Sequence, residues 1–523
     1  MKDRLLKFIV KYEPLLFYII LLISLIPIVT PDVFHTLDGA AHLHNARLIL
    51  ELIKGNNFIE QFYQFNQLPV PNLSGHYILA LLLTVFKVNT ALKILLVAYY
   101  FLFCLSFRKM IFALKGQKAI SYLIFPLAFS FFLLLGFFNF IIGFVFVFFG
   151  ISLLFKENLN SKKYSFWIEL FIWTTLIWFS HPILFLAWLI ILAVFLFQHI
   201  LNIYFNEHKF TIPYKLIFGL FIVVLPALLL SINYLNNYHG GNIRIYTPFK
   251  EKLIYLFNFR TLLLFNIPME RIYSIPMSIG LFLLLGYSYL KLFFEFKTIE
   301  NKLIINAVLW GIAAFLVLLF YFVLPNEMSN GGYISDRLNY IFFIFLLIAL
   351  IRIRPNAFIL NILVVIFIIM HFSHLRYLYT PIKTISKQAE LITKASDLVE
   401  DNKTLISINR SPEWFDGHMG NYIGINTAIY IQDNYEASKG YFPIVFNMNQ
   451  LQELNLGLLT PYNCCIPLPN STIHKAIPAD YVLIIDNLSS ENECDKSIYE
   501  NLQKYYTLIS DSSCKDFSLY KIK

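Results

Sequence analysis

The sequence predicts an α-helical polytopic membrane protein with about 11 transmembrane helices and a C-terminal extracytoplasmic α/β domain. First, 58% of its 523 residues are hydrophobic and only 14% are charged, whereas soluble domains carry about 25% charged residues. Second, apolar runs of nearly span length recur through the first part of the chain. Third, these runs stop after Arg376, where Asp, Asn, Ser and Glu become common.

The apolar runs predict the membrane helices, because each approaches the roughly 20 residues that a helix needs to cross a bilayer. The first run lacks a small-residue cleavage site, so we expect an uncleaved membrane helix rather than a signal peptide. A shorter run at 76–86 predicts a helix that lies at the membrane interface. The full-length runs lie at about 15–30, 90–107, 119–135, 138–155, 165–180, 183–200, 214–232, 273–290, 303–324, 338–351 and 356–373.

The distribution of Lys and Arg predicts the orientation of the chain. The N-terminus carries Lys2, Arg4, Lys7 and Lys11, and we expect it in the cytoplasm because cytoplasmic loops are rich in positive charge. Alternation through eleven helices then places the other basic loops inside and the C-terminal part outside. The net charge of +9 is spread over these loops rather than grouped in one patch, so it gives no indication of nucleic-acid binding.

The stretch 31–47, PDVFHTLDGAAHLHNAR, concentrates polar side chains directly after the first apolar run. From Asp38 onward it predicts a helix, with Asp38, His42 and Asn45 on one face and His35 one turn earlier. Polar groups at the end of a membrane helix are costly to keep without a use. We expect Asp38 to be a catalytic general base, with His42 orienting it or binding phosphate. A solvated linker is the simpler alternative.

The same stretch is also compatible with a divalent cation. Its ligands would be His35, Asp38 and His42. Imidazole and carboxylate ligands suit Zn²⁺ or Mn²⁺, whereas Mg²⁺ prefers more oxygen atoms. The cofactor that we expect, if there is one, is Mg²⁺ or Mn²⁺.

Other polar residues fall on the same outer side as Asp38, and we expect seven residues to bind substrate. The loop 233–271 is basic where positive charge is rare, which predicts an anionic substrate such as a phosphorylated lipid. A long loop that crosses the membrane regardless of its charge explains the same pattern. His181 precedes Pro182 and is also compatible with a helix cap, and Arg337 with an ion pair to Asp336. The seven are His35, His76, Asn139, His181, Arg244, Arg271 and Arg337.

The C-terminal part predicts a small α/β domain. Strand-like runs lie at 404–409, 442–447, 481–486 and 517–522, with a helical pattern at 497–506. Four of the five cysteines lie here, which favours disulfides outside the cell, with Cys494 and Cys514 as the preferred pair. The predicted domains are 1–375 in the membrane, including outer loops 31–89 and 233–271, and 376–523 outside.

Four predicted features follow one another in this chain. The first outer loop carries a helix with Asp38 in HTLDGAAHLHNA, and after it come an interfacial helix, about ten further spans and an outer α/β domain. In this order they resemble the GT-C superfamily of integral membrane glycosyltransferases, which use polyprenyl-phosphate-linked sugars. The resemblance implies that Asp38 is the catalytic acidic residue of the first outer loop. The chain departs from the family pattern at two positions: Gly39 follows Asp38 in place of a second acid, and Asn139 in LLGFFNFIIG stands where another carboxylate is expected.

The resemblance implies transfer of a sugar from a polyprenyl-phosphate donor to a glycan, lipid or protein acceptor by inverting displacement. Asp38 would be the base, and Arg244, Arg271 or Arg337 would neutralise the departing phosphate. It also implies a bacterial inner (plasma) membrane location. A transporter or flippase for an anionic lipid or glycan is the alternative, although the chain shows neither two similar halves nor charged spans. A non-catalytic subunit that assembles a partner enzyme is the third interpretation.

Overall fold

The computed structural model describes residues 2–156, 164–208, 210–237, 244–295, 301–328, 331–451, 479–489, 491–511 and 517–523. Its helices are α1 (Lys2–Ser24), α2 (Ile26–Val29), α3 (Gly39–Ile53), α4 (Asn57–Phe62), α5 (Ser74–Leu83), α6 (Val88–Ala113), α7 (Phe125–Ala128), α8 (Phe131–Leu134), α9 (Phe138–Leu154), α10 (Tyr164–Ser180), α11 (Pro182–Glu207), α12 (Tyr214–Asn237), α13 (Phe249–Phe257), α14 (Ile267–Phe294), α15 (Asn301–Val323), α16 (Ile334–Ile353), α17 (Ala357–Ala395), α18 (Met448–Leu451) and α19 (Glu493–Tyr505). Its strands are β1 (Tyr63–Phe65), β2 (Arg244–Ile245), β3 (Glu327–Met328), β4 (Lys403–Asn409), β5 (Ile429–Ile431), β6 (Ile444–Phe446), β7 (Tyr481–Ile485), β8 (Tyr506–Asp511) and β9 (Phe517–Ile522).

Eight helical segments of the described chain are long and apolar enough to cross a membrane, and they make this a polytopic membrane protein. The prediction of about 11 counted three further runs that form shorter helices. Two of them, α9 and α10, have 17 residues each and measure about 25 Å. The eight segments are Tyr12–Val29, Val88–Ala113, Pro182–Phe205, Tyr214–Asn237, Ile267–Phe294, Leu303–Val323, Ile334–Ile353 and Ala357–Leu398.

The predicted span at 119–135 is not one continuous α-helix. It consists of a 3-10 turn at Lys118–Ile124 and the two short helices α7 and α8. Pro126 lies at the start of α7, where its missing N–H cannot extend an earlier helix. Phe129 leaves helical geometry with φ −102° and ψ 55° before α8 begins. By contrast, the short run at 76–86 does form a short helix, α5.

The chain divides into two compact units. Unit 1 comprises Met1–Pro27, Val97–Leu133 and Phe138–Tyr379, and unit 2 comprises Ile28–Leu96, Leu134–Phe137 and Thr380–Lys523. Unit 2 therefore joins the first outer loop, which the sequence prediction grouped with the membrane domain, to the C-terminal part. The helix α17 runs through the predicted boundary at 376 without a break.

Unit 2 contains a five-stranded sheet in the order β5-β4-β7-β9-β8. The strand β4 is parallel to β5 and β7, whereas β9 is antiparallel to β7 and β8. Ile406 and Ile484 pack with Ile498 and Leu502 of α19 in one buried cluster. Three of the four predicted strands, 404–409, 481–486 and 517–522, are β4, β7 and β9. Of the predicted cysteine pair, Cys514 lies outside the described residues.

The fourth predicted strand, 442–447, joins a different sheet. Its core forms β6, which pairs antiparallel with β1 of the first outer loop, so that Tyr63 lies opposite Phe446. The buried Tyr63 hydroxyl donates to Ile431 O and accepts from Ile431 N–H, both at 3.0 Å. These bonds anchor the segment that follows α3 against the C-terminal part of unit 2, where the candidate site lies.

Candidate functional site

Asp38 is the last residue before α3, and residues 134–137 hold the entry to that helix. The Asp38 N–H donates to Leu135 O at 3.0 Å, and the Leu37 N–H donates to Leu134 O at 3.1 Å. The Asp38 side chain makes no capping hydrogen bond to α3 and is 8% exposed. Its carboxylate is therefore held at a fixed place without being used to stabilise the helix.

Two aromatic side chains border the Asp38 carboxylate. The Tyr435 hydroxyl interacts with Asp38 and also donates to Glu436 Oε1 at 3.4 Å. Burial, followed by the charge of Asp38, raises the pKa of Tyr435 well above its ordinary value. His418 Nε2 lies 3.7 Å from Asp38 Oδ1, and the His418 ring stacks on Tyr435 with 4.1 Å between centroids. Burial lowers the pKa of His418 to about 4. Near pH 7, Asp38 thus faces a protonated phenol and an uncharged imidazole.

His42, His76 and Glu436 form a compact buried cluster one turn along α3 from Asp38. His42 Nδ1 lies 2.7 Å from Glu436 Oε1, His76 Nε2 lies 2.8 Å from Glu436 Oε2, and the two ring nitrogens are 2.9 Å apart. The other ring nitrogen of His42 lies 2.8 Å from the Gly136 carbonyl oxygen. Among the residues that the structure describes, this is the group of His, Cys, Asp or Glu side chains whose potential metal-binding atoms all lie within 4.8 Å of one another.

The charges in this cluster are strongly coupled. Burial opposes the charged form of Glu436, but His42 and His76 outweigh it and hold the pKa of that carboxyl far below its ordinary value. Burial also opposes protonation of His42, but Glu436 outweighs it and raises the pKa of His42. The net effect on His76 is the reverse, because burial dominates and lowers its pKa. The cluster therefore favours a charged pair between His42 and Glu436, with His76 uncharged beside it.

Two asparagines complete the surroundings of Glu436. Asn45 Nδ2 donates to Glu436 Oε2 at 2.7 Å, and Asn434 Nδ2 donates to Asn45 Oδ1 at 3.0 Å. Asn45 lies on the α3 face that carries Asp38 and His42, as the helical spacing predicts. The sequence did not predict Tyr435 and Glu436 as site residues, because DNYEAS at 433–438 has no local pattern that distinguishes it from an ordinary loop. It did not predict His418 either.

His35 does not join this group, and the predicted metal set His35, Asp38 and His42 is therefore not assembled. His35 Nδ1 lies 3.1 Å from the Tyr422 hydroxyl, and Nε2 lies 3.1 Å from Phe415 O. Burial lowers the pKa of His35 to about 4. The physical reason is that α3 begins only at Gly39, so His35 does not continue its helical face.

The remaining predicted site residues lie in unit 1. His181 caps α11 by accepting from the Ile183 N–H at 3.2 Å, and burial lowers its pKa well below the ordinary value. Arg337 donates to Gly332 O, while the neighbouring Asp336 lies 3.7 Å from Arg260 Nε. Asn139 is buried near the start of α9.

The basic outer loop, 233–271, contains both a buried cationic side chain with a structural role and exposed ones. Lys252 is buried, and its Nζ donates to Tyr321 O at 2.8 Å and Leu324 O at 2.7 Å, at the end of α15. A lysine that binds the last carbonyls of a helix stabilises its end. Arg244 lies exposed in β2, and Arg271 is partly buried in α14. Part of the basic loop's charge is thus explained by a helix cap rather than by a substrate.

No protein-family model matches the chain, and no curated protein matches it. A solved structure does: the chain is similar to ArnT from Cupriavidus metallidurans, determined with bound undecaprenyl phosphate. The similarity covers 97% of both chains, with a TM-score of 0.51 and 9% sequence identity. ArnT is a GT-C glycosyltransferase. The chain has a GT-C-like fold.

The GT-C-like fold confirms the fold class predicted from the sequence, a polytopic helical membrane protein with a C-terminal domain. At 9% identity the similarity is one of fold. Activity must therefore be argued from the residues of this chain, because one fold hosts many functions.

Proposed function

We propose that the protein is a membrane glycosyltransferase that moves a sugar from a polyprenyl-phosphate donor to an acceptor outside the cytoplasm. The observation that carries the proposal is the Asp38 carboxylate, which is almost buried, makes no capping bond to α3 and lies beside the Tyr435 hydroxyl. The GT-C-like fold supports a lipid-linked donor, since ArnT was crystallised with undecaprenyl phosphate.

The reaction is a direct displacement in which Asp38 is the base. The acceptor oxygen attacks the anomeric carbon, the bond from that carbon to the phosphate oxygen breaks, and Asp38 takes the acceptor proton. The lone pair of the broken bond stays on the polyprenyl phosphate, and attack from the opposite face inverts the anomeric configuration. A positioned base of this kind contributes roughly 10²- to 10⁴-fold to rate.

The leaving phosphate needs positive charge, because negative charge develops there in the transition state. Arg244, Arg271 and Arg337 remain the candidates. Arg244 is the exposed member of this set, and Arg337 already donates to Gly332 O. We therefore favour Arg244 as the member of this set that is accessible to an anionic ligand.

For the other predicted residues, the hydrogen bonds favour positioning over substrate contact. Both ring nitrogens of His35 are occupied, His181 caps α11, and His42 and His76 bind Glu436. The acceptor, whether glycan, lipid or protein, would approach Asp38 from the outer side. The resemblance supports a bacterial inner-membrane location, and the Lys and Arg pattern supports a cytoplasmic N-terminus. A C-terminal part outside requires an odd number of crossings, so we propose that one or all three of the shorter helical segments cross the membrane in addition to the eight long ones.

Transfer is tested with purified protein in nanodiscs, supplied with polyprenyl-phosphate sugars labelled in the sugar and with pools of glycan, lipid and peptide acceptors. We expect label to move to an acceptor and polyprenyl phosphate to be released in equal amount. Asp38→Asn should stop both, whereas Asp397→Asn, a change of an exposed carboxylate in the same unit, should stop neither. In proteoliposomes, movement of intact donor between leaflets without release would instead indicate the flippase alternative.

A further inference from the structure

The His42, His76 and Glu436 side chains bring atoms that can bind a metal to within 2.7–2.9 Å of one another. The Gly136 carbonyl can only accept, so His42 Nε2, at 2.8 Å, carries the hydrogen. In the neutral ring Nδ1 is then a bare lone pair, and it lies 2.7 Å from Glu436 Oε1 and 2.9 Å from His76 Nε2. Each of these neighbours also directs a lone pair toward the same point unless it is protonated.

Hydrogen bonds satisfy all three contacts only when Glu436 is neutral, with its Oε1–H donating to His42 Nδ1 and His76 Nε2–H donating to Glu436 Oε2. With an ionised Glu436, one poor contact remains. A proton on His42 Nδ1 alone serves Glu436 but leaves His76 Nε2 as a lone pair 2.8 Å from Glu436 Oε2. A second proton on His76 Nε2 repairs that contact but places two N–H groups toward each other at 2.9 Å. A cation between the three atoms removes every one of these conflicts.

We propose that His42 Nδ1, His76 Nε2 and Glu436 bind one divalent transition-metal ion, with Zn²⁺ preferred. Two imidazoles and one carboxylate form a ligand set that zinc uses in proteins, with bonds of about 2.0–2.2 Å. In tetrahedral geometry such bonds separate neighbouring ligand atoms by roughly 3.3–3.6 Å. The observed separations of 2.7–2.9 Å would therefore widen by about 0.4–0.9 Å on binding. Mg²⁺ fits less well, because it prefers oxygen ligands.

The atoms around the three ligands match the support that metal sites have. A metal-binding histidine usually donates its other ring N–H to a backbone carbonyl or a carboxylate, as His42 does to Gly136 O. The ligating carboxylate is usually hydrogen-bonded as well, and Asn45 donates to Glu436 Oε2 at 2.7 Å. Asn434 in turn fixes Asn45.

The ion would join three segments of unit 2 that are far apart in the sequence. His42 lies on α3, His76 on α5, and Glu436 in a 3-10 turn at Glu436–Ser438. His42 and Asp38 belong to the same turn of chain, since the His42 N–H donates to Asp38 O at 3.0 Å. A metal at this site would therefore fix the helix that carries the proposed base, although its binding does not depend on the proposed transfer.

The test measures metal directly, without a donor or an acceptor. Full-length protein is purified with a histidine-free tag, exchanged into metal-free buffer, loaded with Zn²⁺ or Co²⁺ and freed of unbound ion. We expect one equivalent by elemental analysis and, with Co²⁺, the visible absorption bands of a four- or five-coordinate site. His42→Ala, His76→Ala and Glu436→Gln should each lose the bound ion, whereas His208→Ala, which removes an exposed histidine, should keep it.

A second measurement separates lost binding from lost folding. Chelation should lower the Tm of the wild type but leave the Tm of Glu436→Gln, a variant of nearly unchanged shape, where it was. Asn45→Ala keeps all three ligands and should weaken Co²⁺ binding by about 10- to 100-fold. A wild type that retains no ion after loading, or any of the three ligand variants that retains a full equivalent, overturns the proposal. Transfer activity does not enter either measurement, so a failed glycosyltransferase assay leaves this result intact.

Discussion

The carbonyl oxygen of Gly136 lies 2.8 Å from His42 Nε2. The segment 134–137, which we call the strap, therefore fixes the imidazole ring next to the proposed base. Gly136 has φ +80°, and an added Cβ would lie 2.9 Å from Thr36 Oγ1 and 3.0 Å from Gly39 N. Glycine alone adopts this conformation without steric cost. The strap thus depends on a residue without a side chain.

Gly136→Ala should therefore destabilise the protein by about 1–3 kcal/mol, because it adds backbone strain and a clash at the start of α3. The measurement is the Tm in detergent, compared with Gly286→Ala, where an added Cβ meets nothing within 4 Å. Gly286 lies inside α14, so its replacement should raise the Tm slightly. Equal Tm values for Gly136→Ala and the wild type would show that the strap tolerates a side chain.

Tyr435→Phe should lower kcat while leaving KM for the donor nearly unchanged. The phenol lies beside Asp38, and we expect it to orient the base rather than to bind the sugar. The expected loss is roughly 10- to 150-fold, because one hydrogen bond to a charged group contributes about 1.5–3 kcal/mol. Steady-state kinetics with a labelled donor separate the two constants. A raised KM with unchanged kcat would instead place Tyr435 in substrate binding.

The basic outer loop offers a pair of contrasting substitutions. Lys252→Met removes two bonds to the end of α15 and should cost about 1–3 kcal/mol, because the carbonyls lose their donor. Arg244→Gln changes an exposed side chain and should leave the Tm unchanged while raising KM for the polyprenyl-phosphate donor. Measuring the Tm and the donor titration of both variants distinguishes a structural role from a role in donor binding. If Arg244→Gln binds donor normally, the loop's charge has no part in donor recognition.

The sequence predicted those parts of the structure that depend on local patterns. The strand-like runs at 404–409 and 481–486 indicated β4 and β7. The four-residue spacing of Asp38 and His42 correctly placed both at the first turn of α3. The extent of the membrane helices was less predictable. The run at 119–135 is apolar throughout and was therefore predicted as one membrane helix. Pro126 interrupts that helix, and hydrophobicity alone does not show this.

The contacts that build the candidate site are too distant in the sequence to be predicted from it. Glu436 reaches His76 across 360 residues, and β6 finds its partner in β1 rather than in the main sheet. Nothing in the neighbourhood of Glu436 distinguishes it from other acidic loop residues. His35 shows the opposite error, because its spacing from Asp38 suggested a shared face that the non-helical chain before Gly39 does not provide.

The central claim, that Asp38 is the base of a glycosyl transfer, is tested most directly by a single-turnover assay. Enzyme in excess over labelled polyprenyl-phosphate sugar is mixed with acceptor, and release of polyprenyl phosphate is followed over time. We predict that Asp38→Asn, with a Tm and donor affinity like those of the wild type, releases polyprenyl phosphate roughly 10²- to 10⁴-fold more slowly. Release by Asp38→Asn at the wild-type rate would contradict it.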